Sequence, residues 1–275
     1  MTAEVVEVAP TALVPVFADL YGAPEDAVAW MADACTAGWL ARHAGPAGEV
    51  LGAVGLRPSP QHGAELVGGV VAGPQQAAVA VALARSAHAA AGRVYVFAEG
   101  FLFPSEALLA DGFQEVGAYR RLAGRVPYRL VEGPPDVRLF PLSQVPEAGP
   151  RLQALRTYED RIGHHAVAPE AAQDGAGGFD ADLSVIALDA QGRGIGICRA
   201  AAEDGVARLD SPGVAAEWRA TALRAALLSA VFGRLRSAGI TQLGMDSWGD
   251  TPEELAHDLH LGLGVSDETP ILALG

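Results

Sequence analysis

A stiff break near the middle of the chain is the feature that most constrains its fold. Residues 130–137 read LVEGPPDV, in which Gly133, Pro134 and Pro135 interrupt any regular helix or strand. The break divides the 275 residues into two nearly equal halves. Halves of this size are each large enough for a domain, and their similar length makes an internal repeat worth testing.

The two halves carry their structural patterns in the same order. In the first half, an alanine-rich helix at Gln75–Ala91 precedes a strand, a short helix at Pro104–Asp111 and another strand. In the second half, an amphipathic helix at Glu217–Ala238 precedes a strand, a helix at Pro252–Leu261 and a final strand. The order predicts two tandem α+β domains at 1–130 and 137–275, each a mixed sheet flanked by helices.

The remaining elements are predicted from capping residues and turn signals. Two helices, Thr11–Tyr21 and Pro24–Ala37, open the first half, and a strand pair follows around the turn GPAG at 45–48. The second half opens with a strand and a helical region that reaches about Arg161. A hairpin turning at Gln191–Gly192 comes next.

The acidic composition narrows the choice of partners. The net charge is −14 and the pI is about 4.8, while half of the residues are hydrophobic and 19% are charged. The chain is therefore globular, and its charge disfavours nucleic acid and anionic membranes. An acidic surface would attract amines over distance, although solubility is the simpler explanation.

The cysteines and the N-terminal residues indicate a cytoplasmic protein. Cys35 and Cys198 are far apart in apolar surroundings and predict neither a disulfide framework nor a metal cluster. Residues 1–10 lack the basic and apolar segments of a signal peptide, and no apolar run is long enough to cross a bilayer.

Three segments of the second half resemble one known family. Residues 213–228 read GVAAEWRATALRAALL, a strand exit, loop and helix start, and MDSWGDTPEEL and LGLGV follow at 245–255 and 261–265. Together they resemble the GCN5-related N-acetyltransferases (GNAT). The first half is similar more weakly, through GPQQAAVAVALA and LLADGFQEVGAYRRL. The resemblance implies a tandem acetyltransferase with acetyl-CoA as co-substrate and an amine as acceptor.

The family's loop motif, Gln/Arg-x-x-Gly-x-Gly/Ala, implies where acetyl-CoA would bind. The first turn of a helix offers unpaired N–H groups and partial positive charge to a diphosphate, and an arginine in the loop adds a full charge. The family's fourth and fifth strands part, so that the pantetheine arm pairs with exposed backbone. The implied cofactor-binding residues are Val214, Arg219, Ala220, Thr221, Ala222, Leu223, Arg224, Trp248 and Asp250.

Both loops depart from the motif. Ala222 stands where the family has glycine, and Arg224 stands where it has glycine or alanine. Alanine disfavours a positive φ, and a bulky Arg224 either blocks the diphosphate or adds a contact to it. The first-half loop, Gln75 to Ala80, contains no positive charge.

The resemblance implies two candidate catalytic residues. The family takes a base from a carboxylate near the fourth strand and an acid from a tyrosine about four residues before a closing Gly-Phe pair. Asp210 is the candidate base, with a turn-capping role as its alternative. Taking Gly264-Val265 as the closing pair puts His260 at the tyrosine position. His260 and His257 are also typical of exposed residues on an amphipathic helix.

Other chemistry-bearing residues point to weaker sites. His164 and His165, with Tyr158, Glu159 and Asp160 nearby, either line an acceptor pocket or form a polar segment between helix and loop. Adjacent histidines without a third ligand do not predict a zinc site. GRGIG at 192–196 lies within a hairpin and does not predict dinucleotide binding.

The sequence therefore predicts an acetyl-CoA-dependent N-acyltransferase, with the second domain active on an amine of a small molecule or peptide. A homodimer is left open. The alternative is a non-catalytic GNAT-like protein that binds an acyl-CoA or a protein partner. The replaced tyrosine and Arg224 favour this alternative, whereas Arg219, Val214 and the SWGD turn favour the enzyme.

Overall fold

The computed structural model describes residues 3–44, 48–249 and 251–275. Its contacts divide the chain into two compact units, hereafter unit 1 (1–119 with 269–275) and unit 2 (120–268). The last seven residues thus return to the first unit. The domain limits predicted from the central break stay a prediction about where the two repeats begin and end.

Unit 1 alternates short helices with strands. A 3₁₀ turn at Pro10–Leu13 precedes the first α-helix. The elements are β1 (Ala3–Val8), α1 (Val14–Tyr21), α2 (Glu25–Asp33), β2 (Ala37–His43), β3 (Val50–Ser59), β4 (Gly63–Val70), α3 (Gln76–Ala91), β5 (Val94–Phe97), α4 (Ser105–Ala110) and the first part of β6 (Gln114–Arg125).

Unit 2 repeats the pattern with an additional small sheet. Its elements are the rest of β6, β7 (Arg138–Pro141), α5 (Ala148–Leu155), β8 (Val185–Leu188), β9 (Gly194–Cys198), β10 (Ala200–Glu203), β11 (Val206–Asp210), β12 (Gly213–Val214), α6 (Leu223–Ser237), β13 (Gln242–Trp248), α7 (Pro252–His260) and the start of β14 (Gly264–Leu274). The boundaries between the units fall inside β6 and β14.

The sheets of both units are mixed. In unit 1, β1 to β4 pair in antiparallel order, β4 and β5 pair in parallel, and the end of β14 pairs antiparallel with β5. In unit 2, β10 and β11 are antiparallel, β11 and β13 are parallel, and β12, β9, β8 and β7 form a separate antiparallel sheet. The prediction of an α+β fold with mixed sheets and flanking helices is confirmed.

Each long helix packs its apolar residues on the sheet of its own unit. In unit 1, α3 buries Val79, Leu83 and Ala87 against β3 and β4. In unit 2, α6 buries Leu223, Leu227, Val231 and other residues against β8, β9 and β12, in a core that also includes residues of β11 and β13. The four-residue spacing of these apolar positions therefore predicts the buried face correctly.

Several predicted helices are longer than the observed ones. The predicted helix Glu217–Ala238 begins only at Leu223, because Ala216–Trp218 forms a 3₁₀ turn and a loop follows it. In the helical region predicted before Arg161, α5 ends at Leu155, and a 3₁₀ turn follows at Arg156–Tyr158. Helix-forming composition alone does not locate these ends.

Two kinds of feature are absent from the described residues. No helix in these ranges is long and apolar enough to cross a membrane. Within the same ranges, no three histidine, cysteine or acidic side chains come together in a way that could hold a metal ion. Of the predicted turn at 45–48, only Gly48 lies within the described residues.

Candidate functional site

Two neighbouring strands of unit 2 part at Ser211. Strands β11 and β13 run in parallel up to the pair Asp210 and Asp246, and the Ser211 N–H still donates to the Asp246 carbonyl at 2.8 Å. Beyond this point β12 leaves and pairs with β9 in the other sheet. We call the place where the strands part the fork. The fork corresponds to the separation of the fourth and fifth strands that the family resemblance implies.

The loop after the fork leads to the N-terminus of α6, and Arg219 ties it down. The Arg219 Nε donates to the Val214 carbonyl at 3.0 Å, and its Nη2 contacts the Asp160 carboxylate at 2.5 Å. The side chain is about one-third exposed. Arg219 therefore holds the shape of the loop, and its charge already has a carboxylate partner.

The replacement of the motif glycine by Ala222 causes no backbone strain in this conformation. Ala222 is the N-cap of α6 and has φ −72°, a value that any residue adopts. Thr221 uses its hydroxyl to accept from the Leu223 N–H at 3.2 Å, so the chain itself satisfies one donor of the first turn. Ala220, Thr221 and Ala222 are exposed, whereas Val214 and Leu223 are buried in the core.

Arg224 points inward and reaches the fork. Its side chain is 10% exposed, and its Nη2 donates to the Ser211 Oγ at 3.0 Å. Two further hydrogen bonds, at 2.8 and 2.7 Å, join the guanidinium to both carboxylate oxygens of Asp258 on α7. The sequence left open whether Arg224 blocks a diphosphate or contacts it. In this conformation the Arg224 side chain does not turn outward to the loop surface.

The ion pair belongs to a larger buried network. The Arg224 Nε lies 3.5 Å from the Glu254 carboxylate, and Glu254 accepts two hydrogen bonds from Arg161 at 3.2 and 2.7 Å. Glu254 also forms a capping box with Thr251, the N-cap of α7. Two guanidinium groups thus meet two carboxylates, and burial of these charges is compensated within the network.

Comparison of the two units moves the closing pair that the sequence suggested, and Asp258 then lies four residues before its glycine. In unit 1, Gly112 follows the end of α4 and has φ 101°, and the next residue, Phe113, is buried. In unit 2 the same left-handed glycine after the helix is Gly262, with φ 90°, and the buried residue after it is Leu263. The equivalent of the closing pair is therefore Gly262-Leu263, two residues before the pair used in the sequence.

The new closing pair changes which residue lies four positions before its glycine. Asp258 precedes Gly262 by four residues, as Leu108 precedes Gly112 in unit 1. His260 lies exposed at the end of α7, and the neighbouring His257 Nδ1 is the imidazole nitrogen that contacts Asp258, at 3.1 Å. A catalytic role for His260 stays a prediction, but His260 does not lie four residues before the pair Gly262-Leu263.

Asp210 is a buried carboxylate beside the fork. Its Oδ2 accepts from the Arg199 Nε at 2.9 Å and from the second guanidinium nitrogen of the same residue. Burial raises the pKa of Asp210, Arg199 opposes this rise, and the neighbouring Asp246 adds to it. A carboxylate of raised pKa is a better base, but Arg199 occupies Oδ2 in this conformation, and a catalytic role for Asp210 stays a prediction.

Three aromatic rings of unit 2 pack against one another. The ring of His164 stacks on Tyr158 at 5.0 Å and meets Trp248 edge-on at 6.0 Å. Burial, with nearby Arg161 and Arg199, lowers the pKa of His164 to about 3, so this imidazole is neutral at physiological pH. Trp248 thus packs on His164, and Asp250 lies outside the described residues.

The strands of unit 1 part in the same way, and backbone fills the gap. Strand β4 pairs with β5 only at Ala64 and Glu65. The segment 98–104, which follows β5, then passes along β4, and the Leu102 carbonyl accepts from the Val70 N–H at 3.0 Å. A β-carbon on Gly69 would lie 2.7 Å from the Leu102 Cβ, which shows how closely the segment packs.

Further contacts secure this gap. The Tyr21 hydroxyl accepts from the Gly68 N–H at 3.2 Å and lies 3.4 Å from the Gly68 carbonyl. At the start of α3, the Gln76 side chain donates to the Phe101 carbonyl at 3.0 Å. The backbone that an extended ligand would use in unit 1 is therefore engaged by the chain itself.

These arrangements decide how well the residues fit acetyl-CoA. The N-terminus of α6 would suit a diphosphate, since first-turn N–H groups attract anions. The fork of unit 2 would not suit the amide-containing arm, because the Arg224 guanidinium bonds Ser211 there. The gap of unit 1 would not suit it either, because Leu102 takes the β4 N–H group. In this conformation neither unit fits acetyl-CoA.

Comparison with known proteins supports the fold. No protein-family model and no curated protein sequence matches the chain. A solved GCN5-related N-acetyltransferase from Sphaerobacter thermophilus is 16% identical, with a TM-score of 0.54 over 99% of this chain and 95% of that one. A tandem GNAT protein from the clavulanic acid biosynthesis pathway is 16% identical, with a TM-score of 0.53 over 99% and 98%.

This protein has a tandem GNAT fold. A third structure, a GCN5-related N-acetyltransferase from Kribbella flavida, is 17% identical, with a TM-score of 0.55 over 99% of this chain and 70% of that one. The resemblance seen in the sequence is confirmed at the level of fold. The fold is one used by N-acetyltransferases, and function must be argued from the site.

Proposed function

We propose that this GNAT-fold protein is non-catalytic and acts by binding, with both of its acyl-CoA positions closed by its own residues. The observation that carries the proposal is the Arg224 guanidinium at the fork, bonded to Ser211 and to Asp258. A buried, bidentate ion pair does not open readily, since either charge left alone in the interior is costly.

Unit 1 supports the same conclusion by a different route. Its parted strands are joined through the segment 98–104, in which Leu102 and Phe103 are almost completely buried. Opening this gap would expose two apolar side chains and break the Val70–Leu102 hydrogen bond. The two units are therefore closed by unrelated contacts, one through backbone and one through side chains.

A ligand of unit 2 is expected to be an amine. The net charge of −14 attracts cations over distance. The partly buried ring of Trp248 would offer a face for cation–π contact with an ammonium group. Asp210 is buried and already paired with Arg199, so it is not counted among the contacts.

The second candidate function is acetyl-CoA-dependent N-acetyl transfer by unit 2. The raised pKa of Asp210, at the end of β11 beside the fork, favours it, because a base is what amine attack requires. The fold itself and the N-terminus of α6 are compatible with it. For this candidate to hold, the Arg224–Asp258 pair would have to separate.

An acetyl-transfer assay distinguishes the two candidates. The protein is incubated with acetyl-CoA and a panel of small amines and peptides, and acetylated products are measured by mass spectrometry. None of the 19 basic residues is lysine, so acetylation of lysine side chains in the protein itself cannot obscure the result. We expect no product above the protein-free reaction. An amine acetylated only in the presence of the protein would establish the enzyme instead.

A further inference from the structure

We infer that unit 2 has a docking surface for an acidic protein segment that carries apolar side chains. The surface is formed by residues 126–134, hereafter the strap, and by the side of α6 on which the strap lies. None of its residues belongs to the fork or to the loop before α6. The inference therefore does not depend on how the acyl-CoA positions are closed.

The strap is attached to α6 through its backbone. The Ser229 Oγ donates to the Arg129 carbonyl at 2.9 Å and accepts from the Val131 N–H at 3.1 Å. The Arg236 guanidinium, nearer the C-terminus of α6, donates to the Pro127 carbonyl. Because these contacts follow one another in reverse order along the helix, the strap runs antiparallel to α6. Its backbone holds it there, which leaves its outward side chains available to another molecule.

Two large side chains of the strap are exposed to solvent. Tyr128 is 83% exposed and Leu130 is 80% exposed, the highest values among the large hydrophobic residues that the structure describes. The Arg236 guanidinium lies 4.8 Å from the centroid of the Tyr128 ring, so a side chain of α6 holds this ring by a cation–π contact. Exposed apolar side chains on backbone that is already positioned favour binding, since little further ordering is needed.

The same surface is basic in an acidic chain. Residues 120–131 and 218–245 contain eight arginines and no acidic residue, whereas the whole chain has 33 acidic residues. Arg125 and Arg129 are exposed, and Arg236 is partly buried. Within the described part of the chain, none of these three arginines has a carboxylate at ion-pair distance. Arginine binds carboxylates through paired hydrogen bonds, so the surface is complementary to an acidic partner.

The surface fits a protein segment better than two other occupants. A second copy bound across a two-fold axis would bring Arg129 close to the same residue of the other copy, which places like charges together. A nucleic acid carries a charge at every nucleotide, and the net charge of −14 opposes it more than it opposes a short acidic segment. A segment with carboxylates and apolar side chains would pair with the arginines and cover Tyr128 and Leu130.

Selection from a random peptide library tests the inference on the full chain. Phage-displayed peptides of about twelve residues, long enough to cover the strap when extended, are selected on the immobilised wild-type protein. The enriched peptides are then synthesised with a fluorescent label, and their Kd is measured by fluorescence anisotropy. Tyr128→Ala/Leu130→Ala removes the two exposed apolar side chains, and Arg125→Ala/Arg129→Ala removes two of the charges.

Two matched controls change the same kinds of side chain away from the strap. Leu259→Ala removes an exposed apolar side chain of α7, and Arg156→Ala removes an exposed arginine beyond α5. Because all of the changed side chains are exposed, every variant should unfold within a few degrees of the wild-type Tm.

We expect the enriched peptides to combine aspartate or glutamate with leucine or an aromatic residue. Their Kd should rise by about tenfold or more for Tyr128→Ala/Leu130→Ala and for Arg125→Ala/Arg129→Ala, and by less than about twofold for the controls. Absence of enrichment, or peptides that bind both strap variants as tightly as the wild type, would overturn the inference. So would a wild-type dimer or an oligonucleotide complex that the strap variants lose in sedimentation velocity, because another kind of molecule would then occupy the surface.

Discussion

The guanidinium of Arg224 bonds both carboxylate oxygens of Asp258, at 2.8 and 2.7 Å, across the space between α6 and α7. The two side chains are 10% and 0% exposed. Their contact places a charged group at the fork of unit 2, where the strands part. It also joins two positions at which the sequence departs from the GNAT motif.

The energetics of this pair give the first prediction. Arg224→Ala and Asp258→Asn should each lower the free energy of unfolding by about 3–5 kcal/mol, because each leaves its partner buried and unpaired. Arg224→Met/Asp258→Leu should lie within about 2 kcal/mol of the wild-type protein, since it buries no charge.

Urea unfolding of these proteins measures the coupling. The control is Arg234→Ala on the same helix, which should change stability little because that side chain is only partly buried. If Arg224→Ala costs less than about 1 kcal/mol, the ion pair is not the buried contact described here.

The exposed pair formed by Arg219 and Asp160 gives the second prediction. Their side chains are 36% and 24% exposed, so solvent and salt screen the interaction. Arg219→Ala should cost about 1 kcal/mol or less at moderate ionic strength, and Asp160→Asn should cost about as little. Thermal unfolding at low and high salt checks this. A loss of more than about 3 kcal/mol in the free energy of unfolding would show that Arg219 stabilises the loop more than its contacts indicate.

The third prediction concerns His164 and acid. Its pKa is about 3 in the folded protein, below the ordinary value near 6.5, because burial disfavours the charged ring. Between these values the unfolded chain binds the proton and the folded chain does not, so stability falls as the pH falls from about 6.5 towards 3. At pH 5 the contribution is about 1–2 kcal/mol, allowing for partial exposure of the ring.

The variant His164→Phe isolates this effect, because phenylalanine preserves an aromatic ring against Tyr158 and cannot be protonated. Its stability should depend less on pH between 6.5 and 5 than that of the wild-type protein. His260→Phe, which removes an imidazole at an exposed position, is the matched control. Identical profiles for His164→Phe and the wild-type protein would contradict the assignment.

Sequence patterns predict the fold well because each unit repeats a strongly patterned order of parts. Four-residue apolar spacing locates the buried face of α6, and the loop before it is recognisable even without glycine. The start of α6 is not predictable to the residue, since alanine and leucine on either side of Ala222 are all good helix formers.

The candidate site is predicted less well because it depends on contacts between distant segments. The sequence identifies Arg224 as a departure from the motif, but it does not identify Asp258 as the partner of that side chain. The sequence LGLGV contains two glycines, and only the φ of Gly262 shows which of them ends α7. The role of Leu102 at β4 is likewise a backbone contact, for which the sequence carries no signal.

The fourth prediction tests the closure of unit 1. Gly69→Ala places a β-carbon 2.7 Å from Leu102, so it should displace the segment 98–104 and cost about 1–3 kcal/mol. Gly73→Ala is the matched control, because nothing lies within 4 Å of a β-carbon there. Thermal unfolding of the two variants compares them directly. Equal Tm values would show that the segment does not pack on β4 as described.

Isothermal titration of acetyl-CoA into the wild-type protein tests the central claim most directly, since closure of both units predicts the absence of a binding site. Coenzyme A is titrated as a second ligand. The variant Arg224→Met/Asp258→Leu is titrated as a second protein. The account predicts no saturable heat with either ligand at concentrations up to the millimolar range. A saturable isotherm for the wild-type protein, abolished by Arg219→Ala, would show that unit 2 binds acetyl-CoA despite Arg224 and would contradict the account.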